Sequence, residues 1–199
     1  MFGSIRTQLE LEDVLDALWA NISIDCLNCS DPDCMGYVWL TKADQERLIA
    51  NRTSFVRVNG ANGPCFIDSY HRTTTGAIDP SVRSPPCPHR SSSGSCTIHG
   101  SRPLVCRMYP LGLEALVNDG PYWVLHTNCV HIRRLTGEDR LSSLVERLRH
   151  LIANLDETVI RSVGEAFSKA ADLSEQTFDT ACVIRIQSFV MPSSNRSVQ

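Results

Sequence analysis

Residues 87–110 read Cys87-Pro-His-Arg-Ser-Ser-Ser-Gly-Ser-Cys96-Thr-Ile-His-Gly-Ser-Arg-Pro-Leu-Val-Cys106-Arg-Met-Tyr-Pro, and no other part of the chain constrains the architecture as strongly. Three cysteines stand in this stretch, within or near the loop-like residues 71–95. That loop-like segment is rich in Pro, Gly, Ser and Thr, and it has too few apolar side chains to order itself by burial. Metal ligation can supply the missing order, because metal binding and folding are coupled. The sequence therefore predicts a small irregular core that folds around metal.

The number and setting of the cysteines favour metal ligands over disulfides. The chain has 199 residues and nine cysteines, an odd number that disulfides alone cannot use. Its first residues do not combine a basic segment with a long apolar one, so we expect no secretory signal. The expected location is cytoplasmic and reducing, where clustered cysteines serve as metal ligands or redox groups.

A second cysteine cluster precedes this stretch and reads Cys26-Leu-Asn-Cys29-Ser-Asp-Pro-Asp-Cys34. A Cys-x-x-Cys pair on a turn lets both sulfurs face one ion at about 2.3 Å, the usual zinc–thiolate length. Iron–sulfur clusters use the same local spacing. The third cysteine favours a metal site over a redox dithiol, and the acidic neighbours disfavour the reactive thiolate that a redox dithiol needs. Asp33 is a candidate oxygen ligand, with a turn residue after Pro32 as the alternative.

Two arginines flank Cys106 and predict how the charge of a metal–thiolate group is balanced. Four thiolates on zinc or on a 4Fe–4S cluster leave a net negative charge, which guanidinium groups offset while donating hydrogen bonds to sulfur. Arg102 and Arg107 are therefore predicted to bind the cofactor, with ordinary surface charge as the alternative. Pro103 suits a first helical turn, so Ser101 is predicted to cap a short helix that ends near Cys106.

These motifs resemble the YkgJ-type cysteine cluster proteins, a family described as a zinc- or iron-chelating domain. The family pattern begins with Cys-x-x-Cys-x-x-Cys-Cys, continues with a further Cys, and then has Cys-x-Ile-Tyr-x-x-Arg-Pro-x-x-Cys-Arg-x-Phe-Pro. In this chain the similar stretches are Cys34-Met-Gly-Tyr-Val-Trp-Leu-Thr and residues 96–110. The resemblance covers residues 26–130, and the C-terminal helices lie outside it.

The resemblance implies seven cysteine ligands, which are Cys26, Cys29, Cys34, Cys87, Cys96, Cys106 and, as a trailing cysteine, Cys129. The chain departs from the pattern at Asp33-Cys34 in place of Cys-Cys, Ile98-His99 in place of Ile-Tyr, and Tyr109-Pro110 in place of Phe-Pro. Seven thiolates are more than one tetrahedral site can use, so two arrangements stay open. In the first, zinc occupies a closed four-cysteine site and a second site has three cysteines. In the second, four of the cysteines hold a 4Fe–4S cluster. Iron–sulfur is slightly favoured, because flagellin lysine methylases that resemble this family carry a related cysteine cluster.

The remaining cysteines and three histidines are weaker candidates. Cys182 lies on an apolar helical stripe and is predicted to be a small buried hydrophobic residue. Cys65 precedes Phe-Ile in a strand-like piece and is predicted to be structural, with metal ligation as the alternative. Three histidines near the cysteines are candidate ligands, namely His89, His99 and His126.

Hydrophobic periodicity predicts helices at both ends of the chain and short strands between them. Helices are predicted at 9–19, after Thr41, and at 139–155, 156–171 and 174–187. The helix after Thr41 is predicted to be capped by Thr41 and Asp44, and the helix at 139–155 by Thr136 and Asp139. The predicted strands are 54–58, 65–70 and 122–125. The expected fold is α+β and mostly α, with the cysteine-rich core framed by helices. One domain, 1–199, would comprise an N-terminal helix at 1–25, the core at 26–130, a helical region at 131–190 and a tail at 191–199.

We therefore expect a metal-binding cysteine-cluster protein that holds an iron–sulfur cluster or zinc through about seven cysteines and acts as a redox or modifying enzyme or enzyme component. The alternative is a zinc-stapled interaction module without catalysis. The chain has no nucleotide-binding loop, no hydrolase elbow and no His-Glu-x-x-His, and the acidic residues of the helices are predicted to lie on solvated faces. No catalytic residue is assigned, because any reaction would run through the metal.

Charge and hydropathy narrow the expected partners. The net charge of −3 gives no reason to expect nucleic acid. No apolar run approaches the roughly 20 residues that span a bilayer, so no membrane is expected. A protein partner or protein substrate is the expected class.

Overall fold

The computed structural model of the chain describes residues 3–20, 37–57, 63–68, 87–115, 120–137, 140–171 and 182–192. The first cysteine cluster and Asp33 lie outside the described residues. Within them, the fold is α+β as predicted, and no helix has the length and apolar character needed to cross a bilayer. The helices are α1 (Gln8–Leu18), α2 (Lys42–Ala50), α3 (Leu104–Met108), α4 (Val130–Gly137), α5 (Leu141–Ala153) and α6 (Glu157–Ala171), with a 3₁₀ turn at His99–Ser101. The strands are β1 (Tyr37–Trp39), β2 (Val56–Arg57), β3 (Cys65–Asp68), β4 (Leu111–Ala115), β5 (Pro121–His126) and β6 (Val183–Ser188).

Capping boxes start the first two helices, because they satisfy backbone N–H groups that have no partner inside the helix. The Glu10 N–H donates to Thr7 Oγ1 at 3.2 Å, and the Glu10 carboxylate accepts from Thr7 N at 3.0 Å. Thr41 and Asp44 repeat the arrangement at the start of α2, with both bonds at 3.1 Å. The predicted helix at 9–19 and the predicted capping pair are both confirmed.

A small antiparallel sheet of β1, β3 and β2 covers a minor hydrophobic core. Strand β3 is central, with Trp39 opposite Phe66 on one side and Val56 opposite Phe66 on the other. The buried members of the minor core are Leu40, Leu48, Cys65 and Ile67. The predicted strands at 54–58 and 65–70 are thus present in shortened form, and β1 was not predicted.

The second sheet, in the order β4, β5, β6, belongs to a much larger core. Leu111 pairs with Leu125 across β4 and β5, and Val124 pairs with Arg185 across β5 and β6. Side chains from α1, α4, α5, α6 and this sheet bury one another in the major core, and α5 contributes an apolar face that includes Leu148. The predicted helices at 139–155 and 156–171 are confirmed as α5 and α6.

The helix predicted at 174–187 is wrong for its second half, because residues 183–188 form strand β6. The sequence Val-Ile-Arg-Ile-Gln-Ser is rich in β-branched residues, and its apolar positions fit a strand as well as a helix. Pairing with β5 decides between the two, since it satisfies the backbone of both strands. Residues 172–181 lie outside the described residues. The C-terminal region is therefore not wholly helical, and β6 joins it to the predicted cysteine-rich core.

Two predicted helix caps are also wrong. Ser101 belongs to the 3₁₀ turn and its hydroxyl donates to Ile98 O at 3.4 Å, whereas α3 begins after Pro103. Thr136 lies inside α4, where its hydroxyl donates to Ile132 O at 3.1 Å. Helix α4 was not predicted, because its large apolar residues are only Val130, Ile132 and Leu135.

Candidate metal centre

The six described cysteines lie on five separate parts of the fold. They are Cys65 at the start of β3, Cys87 and Cys96 in the loop before the 3₁₀ turn, Cys106 in α3, Cys129 just before α4 and Cys182 just before β6. No disulfide links these six residues. Cys26, Cys29 and Cys34 are outside the described residues, so their predicted role as ligands stays a prediction.

Backbone hydrogen bonds fold residues 87–97 into a closed loop, which we call the cysteine hairpin. The N–H of Arg90 donates to Cys87 O at 2.9 Å, and Arg90 forms an antiparallel bridge with Cys96. Thr97 closes the base, because both its N–H, at 2.8 Å, and its hydroxyl, at 2.9 Å, donate to His89 O. The hairpin therefore brings two predicted ligands, nine positions apart, close enough to interact electrostatically.

The thiol of Cys87 is in a setting that suits a metal ligand better than a reactive nucleophile. Burial raises its pKa, the backbone N–H of His89 directed at the sulfur lowers it, and the neighbouring Cys96 raises it again. The pKa of the Cys87 thiol is raised overall, so the thiolate is scarce at neutral pH without a metal. An N–H group that points at sulfur is the contact that stabilises a metal-bound thiolate.

Cys65 joins the cysteine hairpin through the minor core. It is only 3% exposed, and Cys87 and Ile98 pack against the cluster that contains it. The sequence predicted a structural role for Cys65, and its burial in the minor core agrees with that role. The alternative role of ligand stays a prediction. Spacing along the chain carries no signal for the packing of Cys87 on the minor core, because this packing joins segments that are distant in sequence.

His89 supplies a further donor atom in the hairpin. Its Nε2 is buried and has no hydrogen-bond partner among the described residues. A buried ring nitrogen without a partner calls for an explanation such as a bound ion or water. However, no three Cys, His, Asp or Glu side chains of the described residues converge on a point that could hold a metal ion. Within the described residues, the hairpin therefore offers candidate donor atoms but no complete metal site.

The predicted ligand Cys129 lies in the major core, and Cys182, which was not predicted to be a ligand, lies just before β6. Cys129 is buried in that core, and its carbonyl accepts from Arg133 N at 3.0 Å in the first turn of α4. Cys182, predicted to be buried on a helix, is half-buried before β6, and its carbonyl accepts from Thr127 N at 2.8 Å. Cys129 and Cys182 therefore lie near the same end of β5, whereas Cys87 packs on the minor core.

His126 is held in place rather than left exposed. Its ring lies 5.5 Å from the ring of Tyr109, and its Nε2 is 3.5 Å from a carboxylate oxygen of Glu114. Gly112 makes room for it, because a Cβ there would stand 2.7 Å from His126 Nε2. The predicted ligand His126 thus contacts Tyr109 and Glu114, and its ring occupies the space that Gly112 leaves open.

Arg102 and Arg107, predicted to bind the cofactor, make ion pairs with carboxylates of α1. Arg102 Nη2 lies 2.7 Å from Asp16 Oδ1, and Arg107 Nη1 contacts the other oxygen of Asp16. Arg107 Nε lies 3.3 Å from Glu12 Oε2, and its Nη2 donates to Gly100 O at 3.0 Å. Their expected role toward a metal–thiolate group stays a prediction, but their charges are already engaged.

Helix α2 completes this arrangement. Arg47 Nη1 lies 2.7 Å from Glu12 Oε2, and Arg47 Nη2 lies 2.6 Å from Asp44 Oδ1. The backbone N–H of Leu104, the first residue of α3, donates to Asp44 Oδ1 at 3.0 Å. We call the whole set the ion network, and its members are Glu12, Asp16, Asp44, Arg47, Arg102 and Arg107. Three carboxylates face three guanidinium groups, so the formal charges cancel.

Sequence reasoning missed the ion network because it placed the acidic helical residues on solvated faces. Glu12 is 2% exposed and Asp44 is fully buried. A signal was present for Glu12, which follows Leu11 and precedes Leu15 by one turn, on the apolar side of α1. His99 lies beside the same network, where burial and then the charge of Arg102 lower its pKa.

Comparison with known proteins gives no relative for this chain. No protein-family model matches it, and neither the curated proteins nor the solved structures contain a match. The resemblance to the YkgJ-type proteins therefore rests on the motif residues quoted above.

Proposed function

We propose that this chain is a cytoplasmic metal-binding protein whose centre, an iron–sulfur cluster or zinc, takes two thiolates from Cys87 and Cys96. The observation that carries the proposal is the cysteine hairpin, which pairs these thiols and directs the N–H of His89 at one of them. Cys26, Cys29 and Cys34 would supply further thiolates, since the described donors do not complete a site. Cys65 is a further candidate, because Cys87 packs against the cluster that contains it.

Cys106 and Cys129 are proposed as the remaining ligands, in a second site or as cysteines that support the first. Helix α3 carries Cys106, and the ion network fixes the segment that leads into this helix. Closed four-ligand sites are structural, while chemistry needs an open coordination position. A redox or modifying activity on a protein substrate would require the open arrangement, whereas the closed arrangement would make the chain a zinc-stapled interaction module.

The first experiment is anaerobic purification of the full chain, followed by elemental analysis and a visible spectrum. An iron–sulfur protein would be brown with matching iron and sulfide, and a zinc protein would be colourless with stoichiometric zinc. A folded chain that carries neither metal and takes up neither on reconstitution would refute the proposal.

Paired variants then test the ligands. Cys87→Ala combined with Cys96→Ala should reduce bound metal by at least half, because the hairpin then offers no thiolate. Cys182→Ala is the matched control, since Cys182 lies before β6 and outside the predicted ligand set. Equal metal content in the double variant and the wild type would contradict the assignment of the hairpin.

A further inference from the structure

The cysteine hairpin lies in a basic part of an acidic chain. Between Asp79 and Glu114 the sequence has four arginines and no acidic residue, although the chain as a whole carries a net charge of −3. Two of these arginines, Arg102 and Arg107, are neutralised by the ion network. Arg90 is different, because it has no carboxylate partner among the described residues.

Arg90 is held against the tip of the hairpin rather than extended into solvent. Its backbone is fixed by the bond to Cys87 and the bridge to Cys96. Its Nη2 lies 3.3 Å from the position that a Cβ would take on Gly94, whose φ is +87°. Arg90 Nε is buried and has no hydrogen-bond partner in the described parts of the chain. An ordered guanidinium group with an unused buried N–H indicates that an acceptor from outside the chain binds here.

Three serine hydroxyl groups lie in the same tip. Ser91 Oγ is 2.8 Å from both Ser93 Oγ and Ser95 Oγ, which are 3.1 Å apart. The tip is closed by Ser91 N donating to Ser95 O at 2.8 Å and Gly94 N donating to Ser91 O at 2.9 Å. Each hydroxyl group can rotate to donate its proton outward, so the tip presents three O–H donors beside a cation.

We propose that residues 90–95 at the tip of the cysteine hairpin bind a phosphate-type oxyanion, either free phosphate or the phosphoryl group of a monoester. Guanidinium and hydroxyl groups are suited to phosphate oxygens, and the nearest acidic residues in sequence are Asp79 and Glu114. The positive charge of Arg90 disfavours a metal cation at the same hydroxyl groups. The side chains that would bind the oxyanion are not those proposed to bind the metal, although both sets lie on the same hairpin.

The test is a titration of the full-length protein, as purified, followed by ¹H–¹⁵N correlation spectra at constant ionic strength. Inorganic phosphate and O-phosphoserine are the two ligands, and chloride is the control anion. Saturable shifts confined to the amides of residues 87–97 are expected with at least one ligand. A stronger response to O-phosphoserine would identify the monoester as the source, and an equal or stronger response to phosphate would identify the free anion.

Variants separate binding from folding. Arg90→Gln should weaken binding about tenfold or more, since it removes a charge-assisted contact, and Arg90→Lys should recover part of the loss. Ser93→Ala should also weaken binding, whereas Ser92→Ala should not, because no hydrogen bond places Ser92 in the hydroxyl cluster. The wild-type protein showing no saturable shift, or Arg90→Gln and Ser93→Ala both binding like the wild type, would overturn the proposal. A metal-free protein that still binds phosphate would refute only the proposed metal centre.

Discussion

Asp44 shows how one carboxylate can connect three segments of the chain. Its oxygens accept hydrogen bonds from Thr41 N at 3.1 Å, Gln8 Nε2 at 3.0 Å and Leu104 N at 3.0 Å, and pair with Arg47 at 2.6 Å. Burial raises the pKa of Asp44, while the hydrogen bonds from Thr41 and Leu104 and the charge of Arg47 oppose that rise. A buried charge of this kind is tolerated because both carboxylate oxygens have polar partners.

The substitution Asp44→Ala should therefore lower the free energy of unfolding by about 3–5 kcal/mol, because Arg47 and the N–H of Leu104 lose their buried partner. Urea denaturation followed by circular dichroism would measure the change. Glu46→Ala is the control on the same helix: Glu46 is exposed and lies 3.9 Å from Lys42, so its loss should cost less than about 1 kcal/mol. Equal destabilisation by both substitutions would show that the buried contacts of Asp44 contribute no more to the free energy of unfolding than an exposed ion pair does.

Among the helices and strands, the sequence predicted the features that depend on residues close together in the chain. The capping pair Thr41 and Asp44 was predictable, because the bond between them spans one turn. The contact of Asp44 with Leu104 was not, since it joins residues far apart in sequence. In the same way, the apolar periodicity of residues 139–155 correctly predicted helix α5. Residues Val183–Ser188, in contrast, form a strand because they pair with β5. The sequence identified Cys87 and Cys96 as candidate ligands, but the backbone hydrogen bonds that fold residues 87–97 into the cysteine hairpin were not predicted.

The helix starts also predict how stability depends on pH. Backbone N–H groups of Arg6 and Thr7 lower the pKa of Glu10 from 4.5, and the N–H of Thr158 lowers that of Asp156 from 3.8. Because the folded-state pKa values lie below the unfolded ones, these carboxylates stabilise the fold above the unfolded values. This stabilisation disappears as the pH falls through the lowered values.

Combining Glu10→Gln with Asp156→Asn should accordingly reduce the loss of melting temperature between pH 6 and pH 3, while lowering the melting temperature at pH 6. Differential scanning calorimetry at both pH values would measure this. Glu165→Gln is the control, because Glu165 is an exposed residue of α6 that caps no helix. An acid-induced loss in the double variant as large as in the wild type would contradict the capping role.

The whole molecule has two hydrophobic cores of unequal size. The major core joins helices from both ends of the chain to the β4–β5–β6 sheet, and its buried residues are mainly large aliphatic and aromatic side chains. Counting only the residues that the structure describes, the minor core has four buried members, one of which is Cys65, and Cys87 packs against it. A core this small stabilises little by burial alone, so the segments around it should depend most on the proposed metal.

Metal removal should therefore speed amide hydrogen exchange in the segments around the minor core and leave it unchanged in the major core. After treatment of the metal-loaded protein with a chelator, amides of 63–68 and 87–98 should exchange with deuterium at least about tenfold faster, because metal binding no longer stabilises them. Amides of 141–153, in the middle of the major core, should keep their protection. Hydrogen–deuterium exchange by mass spectrometry would resolve the three segments. The amides of 130–137 form a further readout: they should lose protection only if Cys129, at the start of α4, is a ligand. A uniform loss of protection across both cores would contradict the prediction and show that the metal stabilises the whole fold as a single unit. Unchanged exchange in every segment would show that the metal does not stabilise the fold.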